Sequence, residues 1–164
     1  MLGSIGQNRM DTDPFDRWRR YIQNSFSDLR EGENFHFTSP PDPNYNCLSW
    51  ALSCDTQMFD NQPGCSWSWK DIPSDTADGW AMFCQRHGFN AVGDKNTEFV
   101  SGVEKIAIME KDAFLHATRQ DQNGMWKSKM GDLGPDIDHT DLVCIREAYG
   151  DVVHVLQRDR PDWR

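Results

Sequence analysis

Near the start of the chain, apolar residues recur at steps of three and four. Phe15, Trp18, Ile22, Phe26 and Leu29 fall on one face of a helix expected over Asp13–Leu29. Asp13 suits its N-cap, Pro14 its first position, and Asp16 the positive end of its dipole. The stretch REGENFHFTSPPDP follows. It alternates briefly at Phe35 and Phe37 before its prolines impose extended or turned backbone. A second helix is expected from Asn46 or Cys47 to about Cys54, capped by Asn44 or Asn46. Asp55 to Asp71 is irregular, with NQPG as a turn and CSWSW as an aromatic patch. A third helix is expected over Asp75–His87. Trp80, Phe83, Cys84 and His87 share one of its faces, and Gly88 ends it.

Beyond Gly88 the pattern changes. VEKIAIME, Val103–Glu110, reads as a buried strand, and FLHATRQ, Phe114–Gln120, as an alternating one. DQNG gives a turn signal and MWKSKM reads as the hairpin partner. GDLGPDIDH reads as loop, TDLVCIREAYG as a short helix, and DVVHVLQR as a last strand. Helices come first and an antiparallel meander second. The fold class is therefore α+β, with N-terminal helices packed on a small antiparallel sheet. The expected organisation is a flexible N-terminus over residues 1–12, a single domain over 13–158 and a polar tail over 159–164.

The length of 164 residues suits one core, and seven Trp and nine Phe can fill it. The net charge of −9 argues against nucleic acid as a partner, since that binding needs a basic footprint. No apolar run is long enough to span a membrane, and the first residues lack the pattern of a secretory signal. Five cysteines at irregular spacing read as reduced thiols. The expected location is the cytoplasm, with no membrane partner; delivery by a non-classical route is compatible with the same sequence.

Within this frame Cys47 stands out. It follows the Pro-rich loop PDPNYN and opens the second helix. Oriented N–H groups at a helix start favour the thiolate, which is the nucleophilic form of the side chain, and they can face a developing oxyanion. The competing reading is a buried structural thiol. A nucleophilic thiol needs a base, and there are five histidines. His36 reads as a surface residue, His87 as a helix C-terminal cation and His154 as packed in a strand. His116 lies near the start of an alternating strand, downstream of the cysteine.

The segments NCLSWA around Cys47, KIAIM before the hairpin and LHATRQ around His116 resemble the circularly permuted papain-like thiol hydrolases. Those include the NlpC-like peptidases and the cysteine, histidine-dependent amidohydrolases. The longer set NYNCLSWAL, EKIAIME, HATRQ, GMWKSKMG, DIDH and YGDVV, over Tyr45–Val153, resembles a bacterial domain family of no established function. The first resemblance implies a papain-like fold for residues 13–158. It also implies Cys47 and His116 as the catalytic pair, a peptide or peptide-like amide substrate, and no cofactor or metal.

Papain-like enzymes orient the histidine with a third polar residue on the next strand. If NG is a two-residue turn, His116 pairs near Gly131, Thr118 faces Lys129 and Gln120 faces Lys127. A four-residue loop puts His116 opposite Lys129. Either register places lysines on the face of His116, and a lysine cannot accept a hydrogen bond from an imidazole. The third member is then expected from the following loop: Asp132, Asp136, Asp138 or His139. Asn44, Tyr45 and Asn46 are the upstream candidates for an oxyanion donor, Asn46 doubling as an N-cap.

Two rival readings use the same residues. Cys54, Cys65, Cys84 and His87 could form a structural zinc site, although the usual paired spacing is missing. Trp67 and Trp69 could wall a groove or pack on the third helix. The leading expectation is a thiol-dependent amide hydrolase, peptidase or amidase. The alternative is a non-catalytic interaction or scaffold protein on the same fold.

Overall fold

The most apolar strand of the sequence, β3 (Val103–Lys111), lies inside the sheet. Antiparallel to it run β4 (Phe114–Gln120) on one side and β7 (Asp151–Asp159) on the other. Asp112 and Ala113 join β3 to β4 with φ values of 49° and 65°. This is a mirror-image two-residue turn, whose twist matches that of the strands it connects. It sets Met109 opposite His116. The sheet extends through β5 (Trp126–Lys129), β6 (Asp136–His139) and β1 (Phe35–Ser39), and β2 (Asn90–Ala91) pairs with β7. The order is β1-β6-β5-β4-β3-β7-β2, antiparallel throughout. The computed structural model describes residues 13–43, 45–52, 71–131 and 133–160.

Alternation along the strands sends the core to both faces. On the first face, Ile106, Ile108, Leu115, Ala117 and Leu156 pack with α2 (Cys47–Ala51) and α3 (Ala77–Arg86). On the second, Ala107, Met109, Trp126, Met130 and Ile137 pack with α1 (Asp16–Ser25) and with Ile145 and Tyr149. Tyr149 ends α4 (Arg146–Tyr149), which follows a 3-10 turn over Val143–Ile145. The molecule is α+β, with a seven-stranded sheet rather than the small one expected. Among the described residues no helix is long and apolar enough to cross a membrane.

Several boundaries move, each for a local reason. Helix α1 begins at Asp16 because Asp13 caps the turn before it, its Oδ1 accepting from the Phe15 N–H at 2.9 Å. It stops at Ser25, where Phe26 turns extended to reach the core at 1% exposure. Helix α3 starts at Ala77, where Thr76 Oγ1 accepts from the Gly79 N–H. The second helix ends at Ala51, short of the expected Cys54, with the Leu52 N–H closing its last turn on the Leu48 carbonyl. Cys54, Cys65, Trp67 and Trp69 lie outside the described residues, as do residues 1–12 and 161–164 of the termini.

Strand β6 falls in DIDH, where a loop was expected. It is polar and still buried, because its neighbours satisfy it. Asp136 accepts from Ser39 and Tyr45 and Asp138 from Lys127, while Ile137 enters the core. Tertiary partners outweigh composition here.

Candidate functional site

Asn46 opens α2. Its backbone is extended, and its side-chain Oδ1 accepts from the Ser49 N–H at 2.9 Å. Cys47 is therefore the first helical residue, 9% exposed. Helix α2 lies across β4 and β5 on the first face of the sheet. The Arg119 guanidinium stacks on Trp50 and the Lys129 ammonium on Tyr45, at 4.7 and 4.9 Å from the ring centres. These contacts fix the helix start against the sheet.

The β4–β5 ladder is short, running through Arg119↔Lys127 and Gln120↔Trp126. Beyond β5 the chain turns at Gly131, whose φ of +73° favours a residue without Cβ. A cleft of about 310 Å³ sits at this end of the sheet. Cys47 and Asn46 reach it from the first layer and His116 and Tyr149 from the second; Gly131 also lines it. The sequence-expected pair thus meets on one cavity although the two residues belong to different layers.

The hairpin register differs by one residue from either expected pairing. The Asp121 N–H donates to the Met125 carbonyl and the Gly124 N–H to the Asp121 carbonyl, closing a three-residue loop with Gly124 at φ +82°. A loop of odd length reverses which side chains share a face. Lys127 and Lys129 consequently point to the first face, away from His116. Thr118 and Ser128 take the positions beside it, with Ser128 Oγ 2.9 Å from Thr118 Oγ1.

That reversal builds a chain of hydrogen bonds. His116 Nε2 lies 3.0 Å from Ser128 Oγ, and Ser128 Oγ lies 2.8 Å from His139 Nε2. His139 Nδ1 lies 2.8 Å from the Asp141 carbonyl. A carbonyl only accepts, so His139 Nδ1 carries the proton. Burial pushes the pKa of His139 down to about 4, so the ring is neutral near pH 7. The Ser128 hydroxyl donates to Thr118 Oγ1, whose own proton goes to the Lys127 carbonyl. The Ser128 oxygen then has only lone pairs for His116, whose Nε2 must be the donor. The tautomer of His116 follows from its partners, and Nδ1 keeps its lone pair.

Burial also pushes His116 down to about 3, with His139 adding to the effect. The ring is stacked on Tyr149, centroids 3.7 Å apart and planes at 5°. Such a ring is a neutral base, not an imidazolium waiting beside a thiolate. Tyr149 stays protonated, because burial raises its pKa well above the ordinary phenol value. Cys144 donates to the same Asp141 carbonyl at 3.1 Å, and burial holds its thiol up to about 12.

The other expected residues separate. Asp136 faces the first layer, where Ser39 and Tyr45 each donate to it at 2.6 Å and burial raises its pKa. Asp138 pairs with Lys127 at 2.8 Å and with the exposed His36 at 3.8 Å. Neither touches His116; of the four proposed third members, His139 is connected to it, through Ser128. Asp132 and Asn44 lie outside the described residues. The Tyr45 hydroxyl is committed to Asp136. Asn46 lines the cleft; with its Oδ1 capping α2, its amide nitrogen is the end of the side chain that can donate.

Cys84 is fully buried in the apolar core, its pKa pushed up to about 12 by burial. His87 Nδ1 donates to the Phe83 carbonyl at 2.9 Å. His154 is not packed in its strand as expected; it is a third exposed and reaches Asp78 on α3 at 2.8 Å. Among the described residues no three His, Cys, Asp or Glu side chains converge as metal ligands.

Sequence reasoning missed Ser128, Thr118 and Tyr149. For the first two, the signal available was the Gly at the third position of a three-residue loop. No curated protein and no solved structure matches the chain. A family match does cover residues 36–157, a stretch that carries Cys47, His116, Ser128, His139 and Tyr149. The chain belongs to the family described as a domain of unknown function, DUF7689.

Proposed function

We propose that the protein is a thiol-dependent amide hydrolase of papain-like organisation, with Cys47 as nucleophile and His116 as base. One observation carries the reading: Cys47 shares a cleft with a histidine whose Nε2–H is anchored and whose Nδ1 lone pair remains. Helix α2 has only five residues, so its dipole adds little and the base has to do most of the activation. In the reaction, Nδ1 takes the thiol proton as sulfur attacks the amide carbon. The oxyanion forms near the Asn46 amide and the Cys47 N–H. Collapse of the intermediate breaks the C–N bond, and His116 returns the proton to the departing amine. Water, deprotonated by the same nitrogen, then cleaves the thioester and restores the thiol.

The second reading is a non-catalytic scaffold, favoured by the full burial of His116 and its stack on Tyr149. An activated acyl donor separates the two without knowledge of the natural substrate. With p-nitrophenyl acetate, the hydrolase shows a burst of p-nitrophenolate and an acetyl thioester on Cys47 by mass spectrometry. Cys47→Ala abolishes both and His116→Ala slows acylation. Acetylation elsewhere, with Cys47 untouched, supports the scaffold.

A further inference from the structure

The wall of the cleft restricts what can enter it. Tyr21, Trp80, Phe114 and Tyr149 line it, and Tyr21 and Phe114 are 43% and 59% exposed at its mouth. Both rings are large for open surface and sit beside the polar pair. Asp75 is the one charged side chain on the wall among the described residues. The Trp80 indole N–H donates to its Oδ1 at 3.3 Å, which holds the carboxylate against the aromatic group. His116 is neutral there, and the protein as a whole carries a charge of −9. Among the described residues nothing on this wall compensates a second negative charge, whereas a cation meets both a carboxylate and ring faces.

Resting on the hydrolase reading, we infer that the site takes amides bearing an aromatic ring with a positively charged rather than a negatively charged end. An aromatic group replaces water along the rings, and the charged end lies toward Asp75. Carboxylate-bearing amides are repelled.

The test uses four chloroacetamides with one reactive group: N-methyl, N-benzyl, N-(4-aminomethyl)benzyl and N-(4-carboxy)benzyl. Cys47 alkylation rates are divided by the rates with N-acetylcysteine. Both uncharged and cationic benzyl probes should exceed the methyl probe by about tenfold, as expected for burying one ring. The cationic probe should exceed the anionic one by about five- to tenfold, and Asp75→Asn should bring those two together. The four corresponding acetamides, which cannot react, are titrated into the same protein by calorimetry. That arm reads the cleft whatever the thiol does. Equal affinities for the four acetamides would overturn the inference. Ranked affinities with an inert Cys47 would leave the inference standing and overturn the hydrolase reading.

Discussion

The two faces of strands β4, β5 and β6 both bury polar groups, but of different kinds. On the first face they are charged. Lys129, fully buried, donates to the Gly134 carbonyl and lies over Tyr45, while Asp136 collects hydroxyls from Ser39 and Tyr45. Lys127 pairs with Asp138. On the second face they are neutral: Thr118, Ser128, His116 and His139. A buried charge has to be matched closely, so those groups are spent on holding α2 and β1 to the sheet. A neutral chain of donors and acceptors has a direction, and here it ends on an imidazole nitrogen with a lone pair. The first face anchors α2, which carries Cys47, and the second holds His116 in one tautomer.

Breaking the anchoring face should have the largest effect on stability. Asp136→Ala strands two buried hydroxyls and removes the charge beside Lys129, at a cost of about 3 kcal/mol. Urea denaturation measures it. The protein that remains folded should still alkylate at Cys47, because His116 keeps its partners.

Acid should act through the other face. Both His116 and His139 have folded pKa values below the unfolded value of about 6.5. Between these values the unfolded chain binds protons that the folded chain refuses. Their contribution is therefore intact above pH 6.5 and is lost progressively as pH falls toward 4 and then 3. Each histidine adds a slope of up to about 1.4 kcal/mol per pH unit in that window. His139→Gln should flatten the acid limb of a Tm-against-pH curve. An unchanged limb would place the titrating groups elsewhere.

A smaller effect on stability is expected from Ser128→Ala, about 1–2 kcal/mol, because it leaves two imidazole nitrogens without their shared oxygen. Its effect on Cys47 reactivity should be out of proportion to that. A serine that merely packs would lower both modestly.

How much of this was legible follows the same division. The strands β3, β4 and β7 show in the sequence because their apolar positions repeat with a strand period or run continuously. The helix start at Asn46 follows cap chemistry, the third helix starts two residues after the expected Asp75, and Cys47 and His116 could be singled out by position and strand pattern. Strand β6 could not be read, since Asp136, Asp138 and His139 become strand residues only when Tyr45, Ser39, Lys127 and Ser128 arrive from distant segments. Ser128 was hidden by one residue of loop length. DQNG fits a two- or four-residue connection on paper, and both put lysines beside His116. The three-residue loop, with Gly124 in the left-handed region, exchanges the faces. Parity in a hairpin is decided by backbone geometry that apolar patterning does not encode.

The central claim is that Cys47, His116, Ser128 and His139 act as one unit, and the pH profile of Cys47 alkylation by iodoacetamide tests it most directly. It should be recorded by peptide mapping from pH 5 to 9 in wild type, His116→Ala, Ser128→Ala and His139→Gln, with His154→Ala as a control on an unconnected histidine. In wild type, general-base assistance should keep the rate high well below the ordinary thiol pKa of about 8.5. His116→Ala should restore a simple thiol titration near that value, the Ser128 and His139 variants should fall between, and His154→Ala should follow wild type. A wild-type profile that already titrates as an ordinary thiol, and that His116→Ala leaves in place, would contradict the account.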